Sequence, residues 1–312
     1  MTLPPPISRR DALRLGYSDQ ELAGKDWCRV RRGHYLPADS IVDLSLEQRH
    51  LVAVRAATQR ISGDAYISHV SAAIAHGLPV WSMPLARVHV TRDRRSGGRI
   101  RKRIVVHHGA IEPDDAVEID GLRLTSTART IIDIARTAPF EQSVVIGDAA
   151  LHLRKTTHAE LTDQLIRAAH RPGCQAARRV LAFLDGRSES VGESRSRVAL
   201  NDPTLPPPEL QPRILTPDGT FIARVDFLWP TLGVVGEFDG RIKYHKSIRG
   251  NRPLEAQILA EKTREDTLRA QGWSVTRWTW QHLTSPTHLR ARIHTAATLS
   301  HHNPKGSWHP AL

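Results

Sequence analysis

Two short apolar runs in the last third of the chain each carry acidic residues. Asp226 lies in the run Val225–Trp229, and Glu237 and Asp239 lie in the run Val234–Gly240. Both runs have the composition of buried strands, and strand alternation places residues two apart on one face. A buried carboxylate is costly unless it is paired, hydrogen-bonded or bound to a cation. Three converging carboxylates suit Mg²⁺ or Mn²⁺, and such ions polarise water for phosphodiester hydrolysis.

A structural role for these acids is also compatible with the pattern. Asp226 has Arg224 and Arg213 nearby in the chain as ion-pair partners. Glu237 and Asp239 would then end a strand and cap the Asp-Gly turn that follows. The two runs alone leave both interpretations open.

The elements that must position the acids are predicted on both sides of them. Residues 188–200 form an amphipathic helix pattern, with Glu189, Glu193 and Arg197 on one face. Residues 253–271 predict a longer helix that stops at a glycine, and residues 273–280 an alternating strand. The order is helix, strand, strand, helix, strand.

With the acids in these places, residues 187–285 resemble the PD-(D/E)XK nuclease superfamily, and most closely its Vsr-like branch. The resemblance lies in Glu193, Asp226, the Glu237–Gly240 motif and the helix exit from Arg264 to Trp273. It implies that Asp226 and Glu237 hold the metal. The residue two positions on is usually a lysine that helps to orient the water, whereas this chain has Asp239.

The departure leaves two possibilities for the nuclease-like site. Asp239 is a further metal ligand or base, or the site has lost activity, because an aspartate cannot neutralise developing negative charge. Lys243 and His245 would supply the missing charge or proton donor, or else contact phosphate or solvent. The predicted catalytic set is Glu193, Asp226, Glu237, Asp239, Lys243 and His245, with Asp226, Glu237 and Asp239 as ligands of Mg²⁺ or Mn²⁺.

Bulk composition points to a polyanionic partner. The 312 residues carry a net charge of +12, and the sequence pI is about 10.4. DNA is the expected partner, although a generally basic proteome would give the same charge. The balance of 40% hydrophobic and 24% charged residues excludes a disordered or fibrous class.

Other features argue against secretion, membrane spanning and zinc binding. Cys28 and Cys174 have no neighbouring cysteine and predict reduced thiols, and no apolar run is long enough to span a membrane. We therefore expect a cytoplasmic protein without an organic cofactor. The seventeen histidines show no ligand spacing, with His107 and His108 in a predicted strand.

The N-terminal residues predict a winged helix-turn-helix. Ser8 begins one short helix, and Ser18 with Glu21 forms a capping box that begins a second. A basic hairpin follows, with its turn at Gly33. We expect the hairpin arginines to contact DNA phosphates, and any base reading to come from the second helix and Lys25; use of the same fold for protein contact is the alternative.

A second basic segment, residues 92–103, joins two predicted strands and carries seven positive charges against one negative. It binds phosphate or is a solvated hairpin tip. The predicted DNA-binding residues are Lys25, Arg29, Arg31, Arg32, Arg94, Arg95, Arg99, Arg101, Lys102 and Arg103.

Residues 5–150 resemble the AbiEi-type antitoxins of type IV toxin–antitoxin systems. The resemblance lies in Arg32–Tyr35, Ser68–Ala73 and Thr127–Ala135. It implies a winged helix that binds operator DNA and a second domain that neutralises a nucleotidyltransferase toxin, so a cognate toxin is a possible partner.

The fold class predicted from these patterns is a multidomain α/β (α+β) protein. Its parts are a winged helix-turn-helix (1–45), an antitoxin-like α/β domain (46–180), a restriction-endonuclease-like domain with a mixed sheet (187–295) and a disordered tail (300–312). The boundary is expected near residues 173–187, with the proline run at 203–212 inside the last domain. The predicted function is a DNA-binding protein with a metal-dependent DNA endonuclease domain; the alternative is a non-catalytic DNA-binding regulator or antitoxin.

Overall fold

The chain divides into two compact units, Met1–Leu184 and Asp185–Leu312. The computed structural model describes residues 3–58, 63–94, 97–240, 254–300 and 304–311, and for 254–258 the backbone alone. Helices and mixed sheets occur in both units, which confirms the α+β multidomain class. The division falls inside the interval in which the sequence placed a boundary.

The first unit begins with the helices and hairpin that the sequence predicted. The elements are β1 (Ile7–Ser8), α1 (Arg9–Arg14), α2 (Asp19–Ala23), β2 (Trp27–Arg31) and β3 (His34–Pro37). Ser8 caps α1, and Ser18 and Glu21 form the capping box of α2. The strands form a sheet in the order β1-β3-β2. Gly33, with φ of +76°, makes the hairpin turn because a left-handed backbone suits glycine.

The rest of the first unit is a six-stranded mixed sheet with helices. The strands are β4 (Ala65–Ile67), β5 (Val88–Arg92), β6 (Arg99–Arg101), β7 (Ile104–His108), β8 (Ala116–Ile119) and β9 (Leu122–Thr125), in the order β6-β7-β5-β4-β9-β8. The helices are α3 (Asp39–Val42), α4 (Leu46–Thr58), α5 (His69–Ala75), α6 (Thr127–Thr137), α7 (Phe140–His152), α8 (His158–Arg167) and α9 (Cys174–Phe183).

The basic segment at 92–103 differs from the predicted loop or hairpin tip. β5 and β7 pair in parallel, so they do not form a hairpin, and β6 pairs with β7 in antiparallel fashion. Arg99 and Arg101 therefore lie on an edge strand. Charged side chains on an edge strand discourage pairing with another chain. A charged edge strand and a charged loop have similar local sequences, so the sequence alone did not distinguish them.

The second unit contains two sheets. Its elements are α10 (Val191–Leu200), β10 (Glu209–Leu210), β11 (Arg213–Leu215), β12 (Phe221–Arg224), β13 (Phe227–Trp229), β14 (Val234–Phe238), α11 (Leu254–Ala270), β15 (Ser274–Trp278), α12 (Pro286–Thr298) and β16 (Ser307–His309). The main sheet has the order β10-β13-β14-β15, and the smaller one β12-β11-β16. β13 and β14 are antiparallel, whereas β14 and β15 are parallel. A parallel pair needs a crossover, and α11 lies between the two strands in the chain.

The predicted tail contains an element that the sequence missed. β16 pairs with β11, and Trp308 packs against the buried cluster around Ile214. The prediction of a disordered tail at 300–312 is therefore wrong for this strand. Its partner lies almost a hundred residues away, so the polar composition of the segment concealed the pairing.

No helix within the described residues is both long enough and apolar enough to cross a membrane.

The core of the main sheet packs aromatic rings around a glycine. Trp229, Trp278 and Phe227 are fully buried. A Cβ atom built on Gly236 would lie 2.6 Å from the Trp278 ring and 2.9 Å from the Trp229 ring. Only glycine therefore lets the two indoles approach this strand.

Replacing Gly236 with alanine is expected to destabilise the second unit by about 1–3 kcal/mol, because an added methyl group overpacks a filled core. Urea unfolding followed by tryptophan fluorescence measures this change. Gly240→Ala is the matched control, since a Cβ there meets its nearest neighbour at an ordinary 3.4 Å. Equal midpoints for the two variants would contradict the packing argument.

Candidate functional site

The acids that the sequence singled out lie at the ends of neighbouring elements of the second unit. Asp226 immediately precedes β13, Glu237 lies within β14, and Asp239 follows β14. Glu193 lies in the first turn of α10, where Ser190 caps the helix. Lys243 and His245 lie outside the described residues.

Within the part of the chain that the structure describes, Asp226 is held by neutral donors and not by an arginine. Its Oδ2 accepts a 2.8 Å hydrogen bond from the Phe238 backbone N–H, and its Oδ1 accepts one of 3.4 Å from Gln211 Nε2. Burial, and then the nearby carboxylates of Glu193 and Glu237, raise the pKa of Asp226 from 3.8 to about 6. The ion-pair alternative does not describe this residue, because Arg224 pairs with Glu189 at 2.7 Å.

Gln211 is a site residue that sequence reasoning missed. Its side-chain amide also donates to Glu193 Oε2 at 2.9 Å, so one nitrogen bridges Glu193 and Asp226. Gln211 is only 5% exposed, and its φ of +54° is unfavourable for a residue with a side chain. Such backbone strain concentrates at functional sites. Nothing in its proline-rich neighbourhood distinguishes it in the sequence.

Glu237 has a different environment from the one expected of a metal ligand. Its Oε1 accepts from Arg264 at 2.8 Å and its Oε2 from Arg277 at 2.7 Å. Glu261 bonds both arginines, which completes a network between α11 and β15. Glu237 is 9% exposed, so the two guanidinium groups compensate a carboxylate that is almost fully buried.

The structure therefore brings Asp226 and Glu193 together through Gln211 and commits both oxygens of Glu237 to arginines. Among the described residues, the acids do not form a set of three with ligand atoms all within 4.8 Å of one another. Asp239 is half-buried, and its backbone N–H donates to the Trp278 carbonyl at 2.8 Å.

The predicted DNA-binding residues divide into exposed and engaged groups. Arg29 and Arg32 are exposed beside a cleft of about 710 Å³ that Arg9, Arg10 and His34 also line. Lys25 is exposed. Arg31, by contrast, donates to the Ala56 carbonyl, which turns it away from the expected phosphate contacts.

In the second basic segment, Arg99, Arg101 and Lys102 are exposed at and beside β6. Arg94 pairs with Asp64 at 2.9 Å, and Arg103 donates to the Val30 carbonyl at 2.8 Å. Arg95 lies outside the described residues.

Three histidines that lie far apart in the sequence meet in the first unit. The ligand nitrogens of His69, His89 and His107 all lie within 4.8 Å of one another. Burial lowers the pKa of all three rings, and that of His89 to about 4. The sequence analysis found no ligand spacing because the three residues come from α5, β5 and β7.

Comparisons with known proteins place the chain near uncharacterized relatives. No family model matches it. The uncharacterized proteins Rv2248 and MT2308, from two strains of Mycobacterium tuberculosis, are each 33% identical over 157 residues, which is 50% of this chain and 55% of each relative. The chain thus spans about half the length of the curated relatives it matches.

The crystal structure of the RV2827C protein from Mycobacterium tuberculosis is also similar. Its TM-score is 0.39 at 15% sequence identity, over 57% of this chain and 72% of that chain.

Asp226→Asn is expected to become more stable relative to the wild type as the pH rises from 4 to 7. The folded wild type holds the Asp226 proton more tightly than the unfolded chain, so its unfolding free energy falls between pH 3.8 and about 6. The difference should grow by about 3 kcal/mol, since one pKa unit corresponds to about 1.4 kcal/mol. Urea unfolding in EDTA at each pH measures it.

Asp218→Asn is the control for the pH series. Hydrogen bonds from Thr216 and Thr220 lower the pKa of Asp218, so its titration lies below the pH range of the series and its difference from wild type should stay nearly constant between pH 4 and 7. A flat difference for Asp226→Asn across the range would contradict the raised pKa.

Proposed function

We propose that the protein is a DNA-binding regulator that binds the phosphate backbone through the basic surface of its N-terminal helices and hairpin. The observation that carries this proposal is the exposure of Arg29 and Arg32 on the hairpin, beside a cleft that Arg9 and Arg10 also line. The net charge of +12 supports it, because phosphate neutralisation provides most of the affinity of non-specific DNA binding.

The side chains that this surface presents favour binding to DNA phosphates over recognition of bases. α2 spans only Asp19–Ala23, and Lys25 just beyond it is the nearby exposed cation. Base recognition in the major groove needs several side chains placed along a helix. Arginines on a hairpin position a protein on DNA through its phosphates. The resemblance to AbiEi-type antitoxins agrees with this role in a cytoplasmic regulator and adds a cognate toxin as a proposed partner.

The state of Glu237 is the reason to place regulation ahead of catalysis. A carboxylate that receives a guanidinium on each oxygen has its charge neutralised and two positive groups beside it, which disfavours a cation there. Removing either arginine from a buried pair is costly, so binding a metal at Glu237 would need this network to open. The second unit would then contribute contacts to DNA or protein.

A second candidate is Mg²⁺- or Mn²⁺-dependent cleavage of DNA, and Gln211 favours it. One strained, buried amide lies between the carboxylates of Asp226 and Glu193, in the place where a cation would bridge them. Rotation of the amide would present its oxygen in place of its nitrogen. The helix α10, the mixed sheet and the crossover helix α11 also follow the element order that the nuclease resemblance implies.

In that candidate Asp226 and Glu193 would hold the ion, and Asp239 would serve as a third ligand or base. The ion would polarise the attacking water.

Replacing Arg29 and Arg32 together by alanine is expected to weaken binding to any duplex DNA. The slope of log affinity against log salt should become shallower by about 2, since each lost phosphate contact removes about 0.9 from it. Fluorescence anisotropy with one labelled duplex at several salt concentrations measures the slope.

The matched control is the double replacement of Arg178 and Arg179, which are exposed on α9 and carry the same charge. This variant should keep the wild-type slope. An equal loss in both variants would show that net charge alone binds DNA and would refute the hairpin surface.

Incubation with supercoiled plasmid and Mn²⁺ separates the two candidates. If the second unit cleaves DNA, the wild type nicks the plasmid, whereas Asp226→Asn and Glu193→Gln lose activity by about 100-fold or more, as is typical when a group that stabilises the transition state is removed. Glu189→Gln, which alters only the ion pair with Arg224, should stay active. If the wild type binds DNA but does not nick the plasmid, the cleavage candidate is refuted and only the regulator proposal remains.

A further inference from the structure

We propose that His69, His89 and His107 form a binding site for a divalent transition metal, zinc in particular, in the first unit. The site is independent of the acids of the second unit. The sequence pattern did not indicate it.

The distances between the three rings fit a shared ion. Tetrahedral zinc with metal–nitrogen bonds of about 2.0–2.1 Å places its ligand nitrogens about 3.3 Å apart. His107 Nε2 lies 3.1 Å from His89 Nδ1, and all three ligand atoms lie within 4.8 Å of one another. The His69 and His107 rings stack with centroids 3.6 Å apart. Binding therefore needs only a small adjustment of the side-chain angles, which brings ligand atoms within 4.8 Å of one another to about 3.3 Å.

The elements that carry the rings hold them on one side of the sheet. His89 and Thr91 alternate with the core residues Val88 and Val90 on β5, and Thr91 is opposite His107 on the parallel strand β7. His69 enters as the first residue of α5, with a φ of +51° and only 5% exposure. A left-handed backbone is unfavourable for a histidine, so the surrounding structure must impose this conformation.

The surroundings supply a partner that a metal-binding histidine requires. His69 Nδ1 lies 3.0 Å from Ser68 Oγ, so a proton on Nδ1 would leave Nε2 free to bind an ion. Ligating histidines almost always donate their second nitrogen in this way. Ser68 is fully buried and does not cap α5 with its side chain, which leaves the hydroxyl available to His69.

A buried hydroxyl beside the cluster also lacks a partner. Thr91 Oγ1 is buried and has no hydrogen bond within the described part of the chain, although such groups are nearly always satisfied. Thr91 and two of the histidines, His69 and His107, line one cleft of about 720 Å³. A metal-bound water in the cleft would satisfy this hydroxyl and occupy the fourth coordination position.

The ligand chemistry selects the class of metal. Imidazole nitrogens suit zinc, copper, nickel and iron, whereas Mg²⁺ prefers oxygen. Three histidines with an open fourth position facing a cleft form the ligand set of catalytic zinc sites, and structural sites are usually closed by four protein ligands. Arg129, Arg136 and Arg171 also line the cleft, so an anion is the expected fourth ligand when water is displaced.

Titration of the metal-stripped, full-length protein with Co²⁺ tests the site. Cobalt replaces zinc at such sites, and its visible absorption band reports low-coordinate nitrogen ligation. The wild type should bind one Co²⁺ with this band, and Zn²⁺ should abolish it. His89→Gln and His107→Gln should weaken binding by more than about 100-fold, because losing an outer-shell partner alone costs 10- to 100-fold.

Three further variants separate a metal site from a structural histidine cluster. His108→Gln changes an exposed histidine next to the cluster and should bind Co²⁺ as the wild type does. Ser68→Ala should lower the affinity about 10-fold while every ring stays in place. Asp226→Asn should leave the band unchanged, since that acid lies in the other unit.

Several outcomes would overturn the proposal. These are a wild type without the band, a His108→Gln variant as impaired as His89→Gln, and a band lost only in Asp226→Asn. Thermal unfolding of each variant without metal identifies any that fail to fold. If His89→Gln is one of these, Ser68→Ala decides: unchanged affinity in a folded Ser68→Ala protein also refutes the site.

Discussion

The second unit depends on the compensation of one buried carboxylate. Glu237 lies one residue from the end of β14, in the main sheet's only described parallel pair. Arg277 opposite it on β15 and Arg264 on α11 bind its two oxygens. The interaction thus ties both strands to the helix that connects them. An ionised carboxylate at this depth would be strongly unfavourable alone, so the three elements form and persist together.

Asp226, which lies near Glu237, is also a buried carboxylate, but different groups compensate its burial. This difference in partners determines which of the two acids can attract a cation. Asp226 has an amide N–H and the Gln211 side chain in place of guanidinium groups, and it keeps a raised pKa. Neutral donors leave the local charge negative, which attracts a cation, whereas the arginines around Glu237 remove that charge. In the cleavage candidate, the chemistry of this unit would therefore centre on the Asp226–Gln211–Glu193 group and not on the three acids of the two strands.

The first unit contains two groups of buried polar side chains, an ion-pair network and a histidine cluster. Arg129 is buried between Asp115 and Asp133 with contacts of 2.7 and 2.8 Å, a fully paired network that fastens α6. Within the described residues, no acid hydrogen-bonds to the nearby His69–His89–His107 cluster, and the hydroxyl of Thr91 beside it has no hydrogen-bond partner. Groups that are satisfied stabilise the fold, whereas a buried group without a partner calls for an explanation, and the proposed metal site supplies one for Thr91.

The sequence by itself determined the elements whose signals are local. Ser8 and Ser18 begin helices because their side chains cap the adjacent backbone, a short apolar run predicted β14, and alternating apolar residues predicted β15. The acids of the candidate site were also found in this way, because a charge within an apolar run is visible without a partner. Only the tertiary structure decided which groups meet: Gln211 with two acids, Arg264 and Arg277 with Glu237, three distant histidines, and β16 with β11. These contacts join residues far apart in the chain, and pairing across such distances depends on how the sheets and helices pack, which no local pattern encodes.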